Sequence, residues 1–231
     1  MPFFKEEAFR EFAKEFKNQK EPGGDWEFYV KTGDFSIYRR PALERNPNLF
    51  QYRSIGEWRN VKPETLANVY LDLNFRKKWD KNMASHAAFS FKEEKEEHNG
   101  SHFEMHYPWP LSNRDYAYTI ERKVVKDENE EYQVILGESL PPTSFPGRKG
   151  VIRIDTYMQN ICIAPSEDGE GCKVFMDYFD DPKGSIPKQV INWAAKSGVP
   201  TFINSLKEAC LRYEKEYPNS KPLDNSSSIE I

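Results

Sequence analysis

The sequence predicts an α+β protein of one domain, in which a strongly curved antiparallel β-sheet closes on a long C-terminal helix. Three observations predict it. Between residues 85 and 180 strand-like runs follow one another, divided by turn clusters at 98–100 (HNG), 126–131 (KDENEE), 141–150 (PPTSFPGRKG) and 166–171 (SEDGEG). That spacing suits an antiparallel meander. From Phe202 the residues Ile203, Leu206, Ala209, Cys210, Tyr213 and Tyr217 follow the i, i+3, i+4, i+7 pattern of a helix with one apolar face. Helical stripes at two earlier points complete the mixed order of elements.

In chain order, Phe4, Ala8, Phe9, Phe12 and Phe16 predict an amphipathic helix over 3–17. WEFYVKTGDFSIYRR reads as a hairpin turning at Gly33-Asp34, and NLFQYRSIGEW as a third strand. Pro63 opens a second helix whose stripe is Leu66, Val69, Tyr70 and Leu73. After the strand run, Ile186-Pro187 starts a helical stretch that breaks at Gly198-Val199-Pro200 before the long helix. From residue 218 the chain is polar and aperiodic, so the expected domain is 1–217, with a disordered tail over 218–231.

The 231 residues suffice for one sizeable core. With 38% hydrophobic and 30% charged residues and a mean hydropathy of −0.82, the composition is that of a soluble globular protein. No apolar run approaches the roughly 20 residues of a spanning helix, and the acidic N-terminus lacks the apolar core of a signal peptide. The net charge of −4 argues against a nucleic-acid partner. Cys162, Cys172 and Cys210 are odd in number and lack CxxC spacing, so neither a disulfide framework nor a zinc site is expected, and a reducing, cytoplasmic setting fits.

The run LDLNFRKKWD carries the most chemical information. On an unbroken helix Arg76 and Asp80 would continue the buried stripe, and their i, i+4 spacing would pair them. The inward arginine would then offer its fork to an anionic group such as phosphate. Alternatively the helix breaks near Asn74 and RKKWDK is a solvated face. His86, His98, His102 and His106 are expected on a wet outer face, opposite in phase to Phe103, Met105 and Tyr107. Phe103, Tyr116, Tyr118, Tyr157 and Tyr178 form a set of rings suited either to core packing or to caging a quaternary ammonium. Strand parity groups Tyr157 with Arg153, Asp155 and Gln159, so their face is either exterior or a partly polar interior. In HYPWPLSNRDYAY, prolines 108 and 110 end strand pairing and hold Trp109 on a loop, where it covers something apolar or meets water. There is no GxSxG, HExxH or Walker motif, so neither an enzyme nor a cofactor or metal is expected.

The strings FRKKWD (75–80), YPWPLSNRDY (107–116), GVIRI (150–154), KVFMDYFDDPKGSIP (173–187) and INWAAKSGVPTF (191–202) resemble the START lipid-transfer domain family over roughly residues 25–215. The resemblance implies a helix-grip fold, a curved antiparallel β-sheet wrapped around a long C-terminal helix and enclosing a lipid tunnel, with Trp109 on the lid. It implies that Arg76, held by Asp80, meets a lipid phosphate, that Tyr70 and Gln159 contact the phosphate and glycerol region, and that Phe103, Tyr116 and Tyr157 cage a choline. Phosphatidylcholine-binding relatives carry tryptophan where this chain has Phe103, a weaker cation–π partner. The expected activity is carriage of one phospholipid, most readily phosphatidylcholine, between membranes by a cytoplasmic monomer with transient membrane contact. A lipid-sensing adaptor that recruits a protein partner, or a START protein with another phospholipid or a sterol, stands as the alternative.

Overall fold

The structure is a computed structural model and describes residues 2–18, 22–93, 95–127, 130–184, 186–187, 197–217 and 228–230. Among these, α1 (Glu6–Asn18) precedes β1 (Glu27–Thr32), β2 (Phe35–Ala42) and β3 (Asn46–Arg59). Helices α2 (Pro63–Leu71) and α3 (Leu73–Trp79) follow. Then come β4 (Met83–Glu93), β5 (Glu96–Met105), β6 (Arg114–Lys126), β7 (Glu131–Ser139), β8 (Ile152–Ile154), β9 (Tyr157–Pro165) and β10 (Gly171–Asp180). Helix α4 (Val199–Glu216) and β11 (Ser228–Glu230) end the order.

One sheet runs β1-β2-β3-β10-β9-β7-β6-β5-β4, antiparallel at every step, while β8 and β11 each pair with β6 in parallel. Its two ends do not pair with each other. Residues near both ends, Tyr29 on β1 and Phe103 on β5, nevertheless line one cavity together with Leu206 of α4, so the sheet curves around the helix. This is the expected fold class. Residues 188–196, where a helical stretch is expected, lie outside the described residues.

The sheet is covered on both faces. Outside, Phe9, Phe12 and Ala13 of α1 pack on Val134, Leu136, Cys162, Ala164 and Phe175. Inside, Leu66 of α2 and Leu206, Ala209 and Cys210 of α4 pack with Ile135, Ile161, Ile163 and Val174. Double coverage explains why β7 and β9 read as continuous apolar runs rather than alternating ones. Arg122, buried, donates to Asn68 Oδ1 at 2.7 Å and to Gln133 Oε1, tying α2 to the sheet, and Thr65 donates to Glu214 at 2.7 Å, tying it to α4.

Three expectations need correction. The β4–β5 hairpin turns between Glu93 and Glu96, where Lys95 has φ 78°, and not at HNG, which lies inside β5. Gly100 is there for close approach: a Cβ at that position would sit 2.5 Å from the Phe89 ring on β4. His98 and His102 are 9% and 8% exposed rather than wet. Phe3 and Phe91 cover His98, while Phe145 stacks on His102 at 4.2 Å, with Asp115 3.0 Å from its Nε2. Finally, Ser228–Glu230 of the expected disordered tail forms β11. There Ile229 is 6% exposed against the α1 cluster, and Arg10 Nε donates to the Glu230 carbonyl at 2.6 Å. Residues 218–227 and 231 lie outside the described residues.

Candidate functional site

Beneath α2 and α4 lies a cavity of about 460 Å³, walled largely by apolar side chains of β1–β3, β5, β9, β10 and α4. Its polar groups concentrate where α3 meets β5, β6, β9 and β10.

Helix α3 supplies the charge. Asp72 ends α2, its N–H bonding to the Asn68 carbonyl, and also caps α3 by accepting from Phe75 N at 2.8 Å. The helix therefore does break, two residues before Asn74, yet the new axis carries Arg76 inward all the same. Asp80, 5% exposed, accepts Arg76 Nε on Oδ2 at 2.9 Å and Asn82 N on Oδ1 at 3.0 Å. The guanidinium lies 5.3 Å from each of the Phe103 and Phe202 ring centres, and Nη1 and Nη2 have no protein acceptor among the described residues. Burial opposes the charge on Arg76, but the Tyr70 oxygen and the Asp80 carboxylate outweigh it and raise its pKa. The side chain, 11% exposed, remains a cation with two unused donors on a cavity wall.

Rings surround this point. Phe103 of β5 stacks on Tyr116 of β6, centroids 4.7 Å apart at 8°, and Tyr157 of β9 meets Tyr116 edge-on at 5.2 Å. Tyr118 stands 5.7 Å and Tyr178 6.0 Å from Tyr157. Tyr70 of α2 lines the same cavity as Tyr157, whose hydroxyl donates to Gln159 Oε1 at 2.6 Å. Burial lifts these phenols, Tyr118 to about 12 and Tyr116, Tyr157 and Tyr178 well above the usual value, so they are neutral hydrogen-bonding groups.

The parity problem resolves here. The strand breaks between Ile154 and Tyr157 as the chain crosses from beside β6 to beside β7, with Tyr157 N donating to Ser139 Oγ at 3.1 Å. Across that break Ile154 and Tyr157 join one cluster, while Arg153 turns outward to grip Asp115 at 2.8 and 2.9 Å. Tyr157 and Gln159 thus face a partly polar interior.

Tyr70, Arg76, Phe103, Tyr157 and Gln159 all line the cavity, with Tyr116 packed directly behind Phe103 and Asp80 behind Arg76. Trp109 does not line it. Its neighbours Tyr107 and Pro108 do, and Trp109 itself is 92% exposed. Sequence reasoning missed Asp180, which lines the cavity and accepts from the Tyr116 hydroxyl at 2.8 Å. A signal existed: Met176, Tyr178 and Asp180 alternate along β10 and so share one face.

The START domain family model matches residues 6–216. The chain belongs to the START domain family. As a START domain it is 38% identical to the phosphatidylcholine transfer protein of Mus musculus over 213 residues, 92% of this chain and 96% of that one. It is 30% identical over 216 residues to the mitochondrial StAR-related lipid transfer protein 7 of Homo sapiens, covering 89% of this chain and 56% of the other. The crystal structure of human STARD10 superimposes with a TM-score of 0.74 at 23% identity, over 100% of this START domain and 93% of that chain. No described helix is long and apolar enough to cross a membrane.

Proposed function

We propose that this START domain binds one phospholipid, phosphatidylcholine, and carries it between membranes without chemical change. The observation that carries the reading is Arg76: a guanidinium only 11% exposed, oriented by Asp80, with two unused donors on the wall of a largely apolar cavity. A phosphate diester bearing hydrocarbon chains matches both features, since the fork takes two phosphate oxygens and each methylene withdrawn from water contributes about 0.8 kcal/mol. The adjoining rings of Phe103, Tyr116 and Tyr157 suit the trimethylammonium of choline. Tyr70 and Gln159, the latter accepting from the Tyr157 hydroxyl, supply neutral donors and acceptors for the ester region.

Because a bilayer offers the acyl chains the same apolar surroundings as the cavity, uptake is near balance and exchange is reversible. The exposed Trp109 beside Pro108 is suited to meeting a membrane interface as a lid opens. The protein acts as a monomer in the cytoplasm, where reducing conditions would keep its three buried cysteines as thiols. Two measurements test the reading. Native mass spectrometry of the protein purified from cells should find one phosphatidylcholine per chain, and transfer of labelled lipid between vesicles should be lost in Arg76→Leu. Protein that comes out of cells empty and extracts no phospholipid from vesicles would overturn it.

A further inference from the structure

Asp180 stands last on β10, beside Tyr178 in the two-residue repeat that faces the cavity. Its Oδ2 accepts the Tyr116 hydroxyl at 2.8 Å. Among the described residues no lysine, arginine or histidine forms an ion pair with it. Arg114, whose charge reaches it, donates instead to the carbonyls of Ser112, Pro182 and Lys183.

A carboxylate on an apolar cavity wall is costly unless a cation answers it. Burial pushes the Asp180 carboxyl above its ordinary range, even against the bond from Tyr116. Acyl chains cannot relieve that cost and a phosphate would worsen it. The wall thus runs from a cation with free donors to an anion without a counter-ion. Arg76 lies over Phe103, Phe103 stacks on Tyr116, and Tyr116 donates to Asp180. A headgroup with a phosphate at one end and a fixed positive charge at the other is the complement of that sequence.

Resting on the phospholipid reading above, we propose that Asp180 is the counter-charge to the headgroup cation, and that it makes the site selective for zwitterionic phospholipids over those whose headgroup ends in a neutral alcohol. The ring faces and the carboxylate attract the same ammonium, the rings by their quadrupoles and Asp180 by its full charge. Phosphatidylglycerol, with the same phosphate and chains but no cation, would leave Asp180 buried and unanswered.

The test offers wild type and Asp180→Asn one population of vesicles holding phosphatidylcholine and phosphatidylglycerol in equal amounts with matched chains, then weighs the lipid bound. A common vesicle keeps surface charge identical for both lipids. Asparagine keeps an acceptor for the Tyr116 hydroxyl and removes only the charge. Wild type should hold phosphatidylcholine in preference by about tenfold, and Asp180→Asn should erase most of that preference. An Asp180→Asn protein that loads lipid in the wild-type ratio shows that Asp180 only orients Tyr116, and overturns the proposal while leaving the phospholipid reading intact. If wild type loads neither lipid, that reading falls and this one with it. Should Asp180→Asn lack a cooperative melting transition, the wild-type ratio decides, since equal loading of the two lipids overturns the proposal.

Discussion

Arg76 and Asp80 meet at 2.9 Å inside the protein, one within α3 and the other at its C-cap, although the helix that predicts their pairing breaks before either residue. The break does not undo the pairing because Asp72 ends one helix and starts the next at once. Arg76 and Asp80 keep their four-residue spacing on the new axis. Removing one partner leaves the other buried and unpaired. Arg76→Leu should destabilise the protein by about 3–5 kcal/mol and abolish phospholipid extraction. Urea denaturation and vesicle extraction check both, and normal extraction by this variant would remove Arg76 from the phosphate role.

The stacked pair Phe103 and Tyr116 governs a second outcome. Phe103→Trp should strengthen phosphatidylcholine binding by about 1 kcal/mol at most, because the indole face is the better cation–π surface. Phosphatidylethanolamine, whose ammonium is better served by hydrogen bonds, should gain less. Competitive binding of the two lipids measures the ratio. A ratio that does not move makes residue 103 packing and not cage.

Trp109, 92% exposed, contributes little to stability, so Trp109→Ala should shift unfolding by no more than about 0.5 kcal/mol. Lipid exchange between vesicles should slow. In the difference spectrum between wild type and Trp109→Phe, the emission assigned to Trp109 should move to shorter wavelength when vesicles are added. An exchange rate equal to wild type counts against any gating role.

Acid stability should depend on Asp115. Burial raises its pKa, but the bonds from Arg153 and His102 outweigh that and hold it below the ordinary value of about 3.8. A folded pKa below the unfolded one stabilises the protein above the unfolded value, and that contribution disappears as pH falls through the folded one. Asp115→Asn should therefore lower the urea midpoint near neutral pH, with the gap to wild type narrowing below about pH 4. Parallel pH profiles for the two proteins would show that the Arg153 and His102 contacts carry no linkage.

Periodicity in the sequence determined which residues share a face. It is sufficient for α1, for the hairpin at Gly33-Asp34, for the stripe of α4, and for Tyr107, Met105 and Phe103 standing opposite His102. Family strings added Tyr70, Arg76, Phe103, Tyr157 and Gln159, which the fold gathers on one cavity. What a face meets is a different matter, settled by residues far away in the chain. His102 is buried because Phe145 folds back over it, and Ile229 because α1 leaves room beside β6. Tyr157 faces inward because the strand breaks after Ile154, which resets a parity that local alternation cannot see. Asp180 shows the limit most clearly. β10 is covered by α1 on one face and borders the cavity on the other, so both faces carry large buried side chains. Polarity along the strand therefore does not say which face is which, and only the closing of the sheet around α4 turns Asp180 toward the site.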